Sequence, residues 1–184
     1  MLTIPKQYAS LRFLRPIDWD EIFADWRENE AGQATWKEHW EKRGFASWDE
    51  WRKAYVAPIG PEKLEWFLYV IDNPLQDVPL FFGVPSRAWI EGAYDGSQTK
   101  QLKDILHLPI VMENEKIPAI RKNFPPTTML TGLVIGDKIV LGEGMHRAVA
   151  LASWDPQIPF NSQVTIALAS FTGDIPAIGG NRKE

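Results

Sequence analysis

Apolar positions in the first third of the chain recur with a helical period. Trp19, Ile22, Phe23 and Trp26 stand at i, i+3, i+4 and i+7, one face of a helix. Trp36 and Trp40 lie one turn apart, and Trp48, Trp51 and Tyr55 again share a face. Each stretch opens on a capping residue followed three positions later by Glu: Asp18 and Glu21, Thr35 and Glu38, Ser47 and Glu50. That spacing lets a side chain accept from an orphan amide at the helix start. Three short helices are expected, with Gly32 and Gly44 as stops and Pro58 ending the set.

The period changes after Pro61. Trp66 to Ile71 is a continuous apolar run closed by Asp72-Asn73-Pro74, which suits a strand buried on both faces. Pro79 to Phe82 reads as a second short strand, and Ser97 as the cap of a helix running to His107. Leu133–Ile135 and Ile139–Leu141 flank Gly136-Asp137, a hairpin signature. Gly142-Glu-Gly-Met-His-Arg147 then leads into Ala148–Ala152, a buried helix, and Val164–Phe171 reads as a last strand. The expected class is α/β (α+β): a mixed sheet with flanking helices, preceded by a helical subdomain. The expected division is a Trp-rich extension over 1–64, a core over 65–171 and a flexible tail over 172–184.

Composition sharpens this in three ways. The chain of 184 residues has no cysteine, which excludes disulfides, thiolate metal sites and a cysteine nucleophile. Its net charge of −4 is spread evenly over both halves, so no basic region advertises a nucleic-acid backbone. The N-terminus lacks the basic and apolar regions of a secretory signal, and the longest charge-free stretch, 156–173, is broken by polar residues. A soluble, cytoplasmic protein without a membrane partner is expected. Seven of the nine Trp fall within the first 66 residues. Their spacing reads as packing against the rest of the chain; the alternative is an aromatic platform for a ligand.

Candidate chemistry concentrates in the strand–Gly-Glu-Gly-Met-His-Arg–helix segment. A helix N-terminus offers free N–H groups and the positive end of its dipole. Gly142 and Gly144 permit a sharp turn and close backbone approach, while His146 and Arg147 add side-chain donors. Glu143 could act as a general base or hold a phosphate-bound Mg²⁺, with His146 as the second candidate catalyst. The competing reading is a tight turn in which Arg147 pairs with a surface carboxylate and His146 packs inside. Arg87 is a candidate second phosphate contact or an ordinary surface residue. Arg121 and Lys122 could approach from a loop; His107 reads as a helix-end residue and His39 as structural. Three histidines without HxxxH or HxH spacing make no dedicated metal site.

The hairpin, the Glu-Gly-Met-His-Arg-Ala run and the Ala-rich helix together resemble the ParB/sulfiredoxin superfamily. Its members carry G-x-x-R at this turn: G-C-H-R in sulfiredoxins, G-E-R-R in ParB proteins, D-G-H-H-R in related kinases for free serine. The likeness covers residues 65–171 as a pattern and is specific over 133–152; the Trp-rich third has no counterpart. The resemblance implies a nucleoside triphosphate, ATP or CTP, with Mg²⁺. Gly142, Gly144, Met145, His146 and Arg147 would line its phosphate site. Glu143 matches the acidic residue of the D-G-H-H-R form. The sulfiredoxin nucleophile falls on Met145, a thioether that cannot attack, so that reaction is excluded. His146 stands where ParB has its second arginine, and the chain after Arg147 reads as one strand and a tail, without a DNA-reading helix-turn-helix. The expected function is binding of a nucleotide or other phosphorylated ligand, with NTP hydrolysis or phosphoryl transfer at the same turn. Two alternatives stand beside it. One is a non-catalytic module whose aromatic helices bind a protein partner; the other is a ParB-like nuclease, for which the carboxylates and basic groove are missing.

Overall fold

The computed structural model describes residues 2–180 and Arg182. Five strands form one mixed sheet in the order β1-β2-β5-β3-β4. They are β1 (Leu11–Ile17), β2 (Trp66–Ile71), β3 (Thr127–Ile135), β4 (Lys138–Glu143) and β5 (Gln163–Ser170). β3 and β5 run parallel; the other neighbouring pairs are antiparallel. The helices in chain order are α1 (Trp19–Glu30), α2 (Ala34–Glu41), α3 (Trp48–Val56), α4 (Pro74–Asp77), α5 (Arg87–Ala93), α6 (Leu102–Ile105), α7 (Pro109–Met112), α8 (Lys116–Lys122) and α9 (Met145–Ala152).

The mixed α/β class expected from the sequence is what the chain adopts. β2 is buried along nearly its whole length, as its apolar run requires. The β3–β4 hairpin turns at Gly136, whose φ of +59° suits a tight loop. α9 begins at Met145, three residues before its Ala-rich stretch.

The N-terminal third departs from the expectation. It does not stand in front of the sheet. Residues 11–17 form edge strand β1, and Ile17 pairs in register with Trp66 at the start of β2. The helices α1–α3 are therefore an excursion inserted between two neighbouring strands. A helix-only reading misses β1 because its side chains, apart from Ile17, are not buried, as befits an edge strand. Of the three expected caps, Ser47 accepts from the Glu50 amide as the motif requires. Asp18 occupies the N-cap position without that bond, and α2 starts at Ala34 behind Gln33 rather than at Thr35.

Indoles fasten the excursion to the sheet. Trp19 stacks on Trp66 at 5.6 Å, and buried Trp26 donates through Nε1 to Thr131 Oγ1 of β3 at 3.0 Å. Burying such rings contributes about 2–3 kcal/mol each. Further along, Val78–Leu80 is a single 3₁₀ turn, and Phe82 makes only isolated bridges, so the expected strand at 79–82 does not form. Pro79 at the first turn favours the helical start. The helix expected from Ser97 to His107 shortens to α6.

The tail is also corrected in part. Ile178 is fully buried, and its amide donates to the Pro85 carbonyl while that of Gly179 donates to Tyr55. The segment to Gly180 is thus docked on the body; Asn181, Lys183 and Glu184 lie outside the described residues. No helix among the described residues is long and apolar enough to cross a membrane.

Candidate functional site

The turn between β4 and α9 is built by two glycines with different tasks. The β3–β4 register shifts so that Thr131 faces Glu143 while Gly132 faces Leu141. Gly142 is the extra residue of this bulge, which re-aims the chain just before Glu143. Gly144 follows at φ +87°, and a Cβ there would stand 2.5 Å from Leu130 Cδ2. Only glycine satisfies both the left-handed backbone and the space.

Two adjoining lobes flank this turn. The larger, about 350 Å³, lies between Gly142–His146 on one side and Trp36, Trp51 and Tyr55 of α2 and α3 on the other. Arg87 and Trp89 of α5 and the backbone of Gly179–Gly180 complete it. The smaller, about 220 Å³, is bordered by Asn29, Lys116, Asn123 and Arg147, and shares Glu30, Trp36 and Glu143–His146 with the first. The excursion thus supplies one wall of a cavity whose other wall is the turn that the sequence singled out. Trp48 and Trp51 are buried, as packing predicts, and Trp36 is a half-buried wall residue.

Electrostatics within the site are largely paired. Arg147 donates through one nitrogen to both oxygens of Glu143, at 2.8 and 2.7 Å, and through the other to Thr128 Oγ1 at 2.5 Å. Its guanidinium is therefore engaged by the protein, and Arg147 borders only the smaller lobe. In this arrangement it braces Glu143 across one turn of helix. Opposite, Arg52 pairs with Glu30 in the interior, with Nε 2.6 Å from Oε2. Its guanidinium carbon sits 4.7 Å from the ring centres of both Trp51 and Tyr55.

The cations left without a carboxylate partner among the described residues include Arg87, Arg43 and Lys116. Arg43 donates to His39 Nε2 at 2.9 Å, and Lys116 Nζ stands 5.0 Å from the Trp36 ring centre. The amides of Met145, His146 and Arg147 have no backbone or side-chain acceptor among the described residues. Arg121 donates to the Ser153 carbonyl at the end of α9, away from the turn, and His107 is exposed.

His146 borders both lobes and meets Trp89 edge to face at 6.0 Å. Burial, helped by nearby Lys116, lowers its pKa to about 4, so the ring is neutral at pH 7. His39 is lowered too, by burial and by Arg43, Arg52 and Lys116. Compared with protein-family models, curated proteins and solved structures, the chain has no match.

Sequence reasoning missed Glu30, Arg52 and Asp25. The first two carried a signal. Glu30 follows Trp26 by four residues and Arg52 follows Trp48 by four, so both ride on apolar helix faces. Asp25, on α1, lies near Arg147 and Glu143, and burial raises its pKa to about 6 from 3.8. A carboxyl raised on folding holds its proton more tightly in the native state, so its contribution to stability falls as pH rises from about 4 to about 6. Asp25→Asn stays neutral throughout. Urea unfolding between pH 4 and 7 is expected to show its stability advantage over the parent growing across that window and levelling off above it. A constant difference would refute the shift.

Proposed function

We propose that the chain binds a phosphorylated small molecule in the two-lobed cleft, and, on the strength of the ParB/sulfiredoxin-like turn, that this molecule is a nucleoside triphosphate. One observation carries the reading. The unsatisfied amides of Met145 and His146 at the start of α9 belong to the lining of the larger lobe, together with Arg87 and Arg43, which have no carboxylate partner among the described residues. Backbone N–H groups at a helix start favour an anion, and a guanidinium can take two phosphate oxygens at once. The aromatic wall of Trp36, Trp51 and Tyr55 suits the remaining, flat part of such a ligand. The larger lobe's volume falls within the range of ordinary small-molecule sites.

In this reading Gly142, Gly144 and Met145 shape the phosphate end and His146 and Arg87 contact it, while Arg147 acts through Glu143. The described residues hold no cluster of three or more His, Asp or Glu side chains suited to a metal. A Mg²⁺ ion arriving with the nucleotide would draw its ligands mainly from phosphate oxygens and water, which such a site accommodates. For hydrolysis or phosphoryl transfer the candidate proton acceptors are Glu143 and His146; the His146 ring is neutral at pH 7, and its pKa of about 4 makes its free nitrogen a weak base. Glu143 is oriented beside it by Arg147. Docking of a protein partner on the N-terminal helices draws no support from the indoles, because Trp48 and Trp51 are buried and Trp36 and Trp40 are turned at least partly inward.

Isothermal titration with ATP, CTP and GTP in the presence of Mg²⁺, and with inorganic phosphate, tests the reading. Binding is expected, and Arg87→Ala is expected to weaken it about tenfold, the worth of one charge-assisted contact. Absence of heat at millimolar nucleotide and phosphate would end the proposal.

A further inference from the structure

α2 is the least anchored element around the cleft. None of its residues is fully buried, whereas α1 and α3 bury four each. It is joined to α1 through Gly32, which has open space around it, and to α3 through Gly44, at φ +83°. Its inner face brings Trp36 and His39 to the larger lobe, Arg43 reaches it from the turn that follows, and Trp36 also borders the smaller. The Trp40 indole N–H is shut away from solvent without an acceptor. An unsatisfied donor of this kind is costly, and a displacement of the helix would let water reach it. Across the cleft, the Lys116 ammonium lies over the Trp36 ring.

We propose that α2 is a lid on this site, hinged at Gly32 and Gly44 and latched by Lys116 over Trp36. Its opening withdraws Trp36 and joins the two lobes into one space, so the ligand taken is longer than either lobe alone. That the ligand is a nucleotide rests on the reading above; the opening of α2 does not.

Native-state amide exchange on the full chain tests this. The α2 amides are expected to exchange through a local opening about tenfold or more faster than those of α1 and α3, with little dependence on denaturant. Lys116→Gln, at an exposed position, is expected to speed α2 exchange several-fold and leave α1 and α3 unchanged. Exchange of α2 in step with α3 overturns the lid, and an unchanged α2 rate in Lys116→Gln overturns the latch. Added MgATP is expected to slow α2 exchange. If α2 opens locally but MgATP leaves its rate unchanged, the nucleotide reading fails and the lid stands.

Discussion

Arg52→Met is expected to lower the stability of the chain by about 3–5 kcal/mol, the usual loss when one partner of a buried ion pair is removed. The guanidinium is nearly inaccessible, with 6% of its side chain exposed, and both of its bonds go to Glu30. Glu30 also accepts from Trp48 Nε1 at 3.1 Å. Without Arg52 that carboxylate keeps only the indole, inside a wall of aromatic rings. The cation contacts to Trp26, Trp36, Trp51 and Tyr55 disappear with it. The double variant Glu30→Leu, Arg52→Met is expected to regain most of the loss, since neither side is then a stranded charge. Arg27→Met provides the scale: its bridge to Asp49 is exposed, and its removal is expected to cost less than about 1 kcal/mol. Urea midpoints of the four proteins decide the matter. If Arg52→Met falls no further than Arg27→Met, the pair does not hold the cleft wall.

Arg147→Met carries the second large effect, a loss of about 3 kcal/mol, because it leaves Glu143 charged in a site where only 8% of its side chain is exposed. Adding Glu143→Leu is expected to restore most of the stability. The comparison separates two meanings of the same motif. A phosphate-binding arginine, once removed, costs ligand affinity and spares the fold. A bracing arginine costs the fold first and affinity through the displaced turn. The geometry here favours the brace, since both oxygens of Glu143 and the hydroxyl of Thr128 already receive its protons. A stable Arg147→Met protein that no longer binds phosphate would assign Arg147 to the ligand instead.

The parts of this molecule legible in the sequence are those settled by local chemistry. The apolar run of β2, the glycine of the β3–β4 turn, the Ser47 cap and the Gly-Glu-Gly turn into α9 each follow from residues close together in the chain. What escaped depends on partners far away. β1 is half of a pair whose other half begins at Trp66, and Pro16 within it argues against a strand unless it sits at an edge. Glu30 and Arg52 look like two surface charges until α1 and α3 are laid side by side. The motif arginine and its pairing with a carboxylate were legible; that the carboxylate is the buried Glu143, one helical turn away, was not. Periodicity showed which face of each N-terminal helix turns inward, and it was silent on the fact that those faces form one wall of a cavity whose other wall, Gly142–His146, comes much later in the chain.

Because Ile17 and Trp66 are register partners, the helical excursion leaves the sheet and returns to it at one doorway. Its two ends are as close as those of a hairpin loop. The aromatic wall is thus a cassette, closed on itself where it meets the sheet. Exchanging it for a short turn would remove Trp36, Trp51 and Tyr55 from the larger lobe and leave the Gly144 turn facing α5, Ile110 and the Gly179–Gly180 backbone. Under the proposed function, ligand preference is set by this stretch of chain, separately from the Gly144 turn proposed to take the anion.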